Sequence, residues 1–214
     1  MEGSTIPALP KPRLRGVLHL IAAIAFVPAV VVLVLHARSG AGLGAAVFGG
    51  SLVALLTASA VYHTPHWTPH IRGLLRRLDH AMIYVLIAGT YTPLCVQLGG
   101  SAATVMLPVV WAAALVGVVK SLVWPQSVRW LTAVLYVVLG WAAVPYGAAM
   151  YTVLGLTVLT LIGAGGLMYT VGAVVYARKS PNPAPRTFGY HEIFHALVIA
   201  AAVCHYAAVW MTVS

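Results

Sequence analysis

Long apolar runs follow one another along nearly the whole chain, and the polar residues are gathered into short stretches between them. A helix rises about 1.5 Å per residue and a bilayer's hydrocarbon core is about 30 Å thick, so a span takes roughly 20 mostly apolar residues. Seven such segments are predicted, near Leu14 to His36, Leu43 to His63, Leu78 to Leu98, Ala102 to Val123, Trp130 to Gly147, Ala148 to Ala177 and His191 to Met211. The stretch between Arg129 and Arg178 carries no charge and is too long for one span. Pro145-Tyr146-Gly147 supplies the turn geometry that divides it. The predicted architecture is an all-α integral membrane protein, a seven-transmembrane helix bundle. Residues 1–13 form a short leader and 14–214 a single transmembrane domain, with no internal repeat.

Composition strengthens this reading. The chain is 61% hydrophobic and only 7% charged, with a mean hydropathy of +0.95, whereas soluble domains carry charge on roughly a quarter of their residues. The net charge of +9 does not point to nucleic acid, because the basic residues fall in small groups between apolar runs instead of forming a phosphate-binding face. Eleven of the twelve basic residues, from Lys11 to Arg186, lie on the N-terminal side of the seven-span topology, and only Arg38 lies opposite. By the positive-inside rule the N-terminus is cytoplasmic, the C-terminus external and the protein multi-pass in the plasma (inner) membrane. The first apolar run lacks a small-residue cleavage site and reads as a retained span. Cys95 and Cys204 fall inside apolar runs and read as packed thiols.

Against this background the acidic residues stand out. Only three occur, and two of them, Asp79 and Glu192, sit beside histidines at the edges of apolar runs. His191 and His195 are four apart, so on a helix their rings share one face, one turn from each other. Topology brings His63, at the inner end of the second span, to the same cytoplasmic boundary, together with Asp79 at the start of the third. Three neutral imidazoles with an open fourth position are the usual donors of a catalytic Zn2+ ion. Asp79 is placed to act as base and Ser59, one turn from His63, to orient water or donate to an oxyanion. Each residue also has a plainer reading: an interfacial ion pair with Arg76 or Arg77 for Asp79, a helix-dipole contact for Glu192, a bond to its own helix for Ser59. His66 and His70 are separated by Pro69, His205 is too far along its helix to share an ion, and His19 and His36 have no evident partner.

Ser59-x-x-x-His63, then Leu78-Asp79-His80-Ala81 leading into Ile87-Ala88-Gly89-Thr90-Tyr91-Thr92-Pro93, then His191-Glu192-Ile193-Phe194-His195 resemble the bacterial hemolysin III proteins. These are the prokaryotic branch of the progestin and adipoQ receptor (PAQR) family, which includes adiponectin receptors. The resemblance extends over all seven spans. It implies a bundle with an internal N-terminus and a zinc ion near the cytoplasmic face, with the family's histidine ligands on His63, His191 and His195, its aspartate on Asp79 and its serine on Ser59. Because adiponectin receptors are linked to ceramide hydrolysis and the superfamily contains alkaline ceramidases, it also implies hydrolysis of a membrane lipid amide or ester. Hormone reception does not transfer, since this chain has no long N-terminal domain.

Other functions compete with that expectation. The HExxH string resembles that of zincin and site-2 proteases, in which the glutamate is the base. Site-2 proteases, however, take a later aspartate, and no acidic residue follows His195 here. A non-catalytic zinc staple between the second and seventh spans would suit a membrane sensor or receptor-like protein. Cytolysis by pore formation fits poorly, because the span centres are almost entirely Ala, Val, Leu and Gly.

Overall fold

The computed structural model describes residues 12–214, so the predicted leader lies almost wholly outside the described residues. The chain forms α1 (Val17–His36), α2 (Gly42–His63), α3 (Pro69–Leu98), α4 (Leu107–Val123) preceded by a π-helical turn at Ala102–Met106, α5 (Arg129–Gly140), a 3-10 turn at Val144–Tyr146, α6 (Gly147–Arg178) and α7 (Tyr190–Val213). There is no strand among the described residues, only an isolated antiparallel bridge between Ala184 and Phe188 in the α6–α7 connection.

Six helical stretches are long and apolar enough to cross a membrane: α1, α2, α3, Ala102–Val123, the 50-residue stretch Arg129–Arg178, and α7. At about 1.5 Å per residue the fifth would measure about 75 Å as one rod, more than twice the hydrocarbon thickness. It is not one rod. Helix α5 stops at Gly140, the 3-10 turn holds Pro145, and Gly155 inside α6 takes a left-handed φ of 84°. The chain doubles back, since Trp141 Nε1 donates to Thr170 Oγ1 at 2.9 Å while Arg129 lies 5.7 Å from the Tyr176 ring centre. At 12 residues, or about 18 Å, α5 is shorter than the span expected from Trp130 to Gly147, because its helix gives way to turns at Trp141.

A break in apolar surroundings exposes backbone groups that must find partners. Tyr91 on α3 provides them. Its hydroxyl meets the carbonyls of Gly140 at 2.8 Å and Leu139 at 3.2 Å and accepts the Ala143 N–H at 2.8 Å. Its neighbours Thr90 and Thr92 bond back to Leu86 and Ala88 carbonyls of their own helix at 2.9 Å, which lets hydroxyls sit in a buried helix face.

Helix α3 starts nine residues before the expected Leu78. Pro69 does not prevent this, because it occupies the first turn, where a missing N–H leaves no bond unmade. One buried core joins α1, α2 and α7 through Leu33, Phe48, Leu52, Val209 and Val213. A second joins α3 and α4 through Tyr84, Cys95, Val110 and Ala114. Close helix approach rests on small residues, as at Gly89, where any Cβ would overlap Ser51 of α2. Ile21, Ile24, Leu35, Leu115 and Val116 point outward and exposed. An apolar exterior around an apolar core suits lipid as the surrounding solvent.

Candidate metal centre

Helix α2 ends at His63 and α7 begins at Tyr190, so His63, His191 and His195 meet at one end of the bundle. All three are buried, and one ring nitrogen from each lies within 4.8 Å of the others. His63 Nε2 and His191 Nε2 are 3.1 Å apart. Two nitrogens with metal bonds of about 2.0–2.1 Å at a tetrahedral ion are about 3.3–3.4 Å apart, so this pair already has the spacing that such an ion imposes. The donor set is chemically right as well: three imidazoles, each able to offer a ring nitrogen and shielded from bulk water. These residues fit a metal ion.

Asp79 and Ser59 stand at the side of this cluster. Asp79 Oδ2 is 3.8 Å from His63 Nε2, too long for a hydrogen bond, and the buried Ser59 hydroxyl approaches the carboxylate. The carboxylate is thus beside the imidazoles without occupying the donor shell. No ion pair joins it to Arg76 or Arg77.

Glu192 is differently employed. Its side chain is fully buried, one oxygen accepts the Gly189 N–H at 2.8 Å and the other pairs with Arg15. The first contact satisfies a backbone donor at the N-terminus of α7, and the second ties that terminus to the segment leading into α1. With both oxygens so engaged, Glu192 holds its helix in place.

The start of α1 is pressed against the end of α2. Gly16 has a φ of 84°, and a Cβ there would lie 2.8 Å from His63 Cβ and 2.7 Å from Thr64 Oγ1. Only glycine tolerates both conditions. One turn further on, His19 stacks on His195 with ring centres 3.8 Å apart and planes within 9°. His19 is 2% exposed, and neither of its ring nitrogens makes a hydrogen bond; the His195 backbone approaches without meeting hydrogen-bond geometry. Spacing could not reveal His19, because its partner is 176 positions away. The one local signal was Arg15-x-x-x-His19, an i, i+4 pair that meets Glu192 and His195 of α7.

Of the remaining histidines, His80 lines the same cavity as the cluster, and the other four stand apart. His36 bonds the Val32 carbonyl at 3.0 Å and His205 approaches that of Ile162 at 3.3 Å. His66 lies in the α2–α3 connection and His70 in the first turn of α3. Both cysteines are free thiols.

The histidines, Asp79 and Ser59 line a cavity of about 640 Å³, within the roughly 300–1,000 Å³ usual for ligand sites. Its deep wall is apolar and aromatic, with Leu86, Ile87, Trp141, Tyr169 and Val198, while arginines line it elsewhere.

Residues 8–206 match the haemolysin-III-related family profile. Hemolysin-3 of Bacillus cereus is 30% identical over 194 residues, covering 88% of this chain and 85% of that protein. The Hemolysin-3 homolog of Bacillus subtilis (strain 168) is 30% identical over 205 residues, 91% of each chain. Human monocyte to macrophage differentiation factor is 29% identical over 169 residues, 77% of this chain and 68% of its own length. Bacterial relatives and six helical stretches able to cross a bilayer describe a multi-pass protein of the bacterial plasma membrane. With nearly its whole length matched, the chain belongs to the haemolysin-III-related family, within the wider PAQR family.

Proposed function

We propose that this protein is a zinc-dependent hydrolase that cleaves an amide or ester bond of a membrane lipid. The observation that carries this reading is the convergence of three buried imidazoles, a carboxylate and a hydroxyl on one cavity with apolar walls. A zinc ion on His63, His191 and His195 supplies Lewis acidity, polarising a carbonyl oxygen and acidifying water. Asp79 takes a proton from the attacking water as its oxygen bonds to the carbonyl carbon. As the carbon–nitrogen or carbon–oxygen bond breaks, Asp79 returns that proton to the leaving atom. Ser59, whose hydroxyl approaches the carboxylate, orients Asp79, and the apolar wall holds the acyl chain.

In this proposal α5 and the turns after it, through Tyr146, complete a seventh crossing, since 18 residues reach about 27 Å. The N-terminus and the metal centre then lie at the cytoplasmic face and the C-terminus outside, as the distribution of basic residues favours. Metal analysis combined with lipid mass spectrometry of membranes from cells with wild-type or His191→Ala protein tests the function. The expected result is about one zinc per wild-type chain and accumulation of one lipid class in the variant. Wild-type zinc with unchanged lipids in the variant would replace hydrolysis with a second reading, a zinc staple between α2 and α7, which the burial of all three imidazoles favours.

A further inference from the structure

The arginines lining the cavity lack acidic counterparts. Two side-chain carboxylates occur among the described residues. Glu192 is held by Arg15 and the Gly189 N–H, and Asp79 forms no ion pair with an arginine. Arg72, Arg76 and Arg129 therefore line the cavity with no carboxylate partner. Arg76 donates to the Pro125 carbonyl. The other two guanidiniums rest on tyrosines. Arg72 lies 5.8 Å from the ring centre of Tyr62, whose ring is 4.3 Å from that of His63. Arg129 lies 5.7 Å from the ring centre of Tyr176, whose ring is 5.7 Å from that of His191. Two arms thus repeat the order guanidinium, tyrosine, imidazole of the candidate metal centre, one from α3 to α2 and one from α5 through α6 to α7.

A guanidinium within about 6 Å of a ring centre is attracted to the ring face, and its fork of donors can still meet a ligand. A planar fork of donors matches the oxygens of a phosphate, and such pairs are stronger than neutral hydrogen bonds. Arg72 and Arg129 are exposed and line the cavity, so an arriving anionic ligand meets two guanidiniums that no carboxylate of this chain neutralises. The apolar wall beyond the histidines gives that ligand a hydrocarbon portion.

We propose that the cavity selects a lipid with a phosphate-bearing, negatively charged headgroup, which Arg72 and Arg129 grip from opposite sides of the metal centre. This assignment rests on the lipid-hydrolase reading for the bond cleaved and goes beyond it in naming the substrate class. A lipid without phosphate, such as ceramide, leaves both guanidiniums unpaired in the complex, and its affinity is correspondingly lower.

Native mass spectrometry of the purified, metal-loaded protein in detergent tests this with three probes: a short-chain phosphatidylglycerol, a ceramide of matched chain length and inorganic phosphate. Phosphatidylglycerol is expected to bind about tenfold or more tighter than ceramide, the scale of one charge-assisted hydrogen bond. Arg72→Gln/Arg129→Gln should abolish that preference while keeping the metal, and the exposed Arg178→Gln, outside the cavity, should retain it. The single variants Arg72→Gln and Arg129→Gln should each lose part of it, which keeps the test decisive should the double variant misfold. Equal binding of ceramide, an unchanged preference in the cavity variants, or an equal loss in Arg178→Gln would overturn the proposal. So would inorganic phosphate competing as well as the lipid at equal concentration, because the hydrocarbon portion would then contribute nothing. Turnover is read separately in the same samples. Selective binding without cleavage would refute the hydrolase reading and leave the headgroup assignment standing.

Discussion

Among individual side chains, the division of labour between Asp79 and Glu192 is the most consequential. Asp79 faces the imidazoles from 3.8 Å and supports no helix end, so Asp79→Asn is expected to keep its metal and lose turnover by about 10²–10⁴-fold, the range for removing a general base. Product assays and metal analysis on one preparation check both halves. Glu192 is buried against Arg15; Glu192→Ala strands that guanidinium and should destabilise the protein by about 3–5 kcal/mol, seen as a lower melting temperature in detergent. A Glu192→Ala protein that melts like the wild type but turns nothing over would instead favour the protease-like role for this carboxylate. His19 acts through its partner. Its ring lies flat on His195, and outer groups that fix a ligand's orientation typically change metal affinity about 10–100-fold when lost. His19→Ala should therefore weaken zinc binding by that amount in a chelator competition, and His19→Phe, which keeps a stacking ring, should restore most of it. Equal affinity in all three proteins would reduce the stack to packing.

Helices succeed or fail here at their ends. Tyr91 closes the gap left where α5 unwinds, and Tyr91→Phe removes the partner of the Ala143 N–H and of two carbonyls. An unsatisfied buried polar group costs about 1–3 kcal/mol, so this variant should melt earlier and exchange the amides near Ala143 faster, as hydrogen-exchange mass spectrometry would detect. Unchanged exchange there would mean that other groups satisfy the turn. The apolar pattern made most ends legible: α1 ends at the expected His36, α2 at His63 and α3 at Leu98, each where the apolar run stops. The start of α3 and the end of α5 were not legible for opposite reasons. Polar residues from Pro69 to Arg77 are helical because they extend an established helix beyond the apolar zone, which hydropathy does not register. Trp141 to Ala143 are as apolar as a helix interior, yet they turn, and the partner that allows this is on α3. The trio His63, His191 and His195 was legible because spacing and topology both converge on it; His19 was not, because a face-to-face contact between distant helices leaves no periodic trace.

Taken whole, the molecule keeps its chemistry at one end. The opposite end holds Arg38, which bonds Gln97 at 2.6 Å and the Thr212 carbonyl at 2.9 Å, far from the imidazoles. If the seven-crossing arrangement holds, a reporter fused after Ser214 is active only outside the cell and one at Met1 only in the cytoplasm. Both reporters on one side would leave an even number of crossings and remove α5 from the count. The nitrogen donors come from residue 63 and from residues 191 and 195, so a ribosome must make α7 before any fragment owns a complete set. On the proposed function, metal capture is thereby postponed until α7 has been inserted and docked, and a chain interrupted before α7 would hold no complete set with which to hydrolyse lipids in the membrane receiving it.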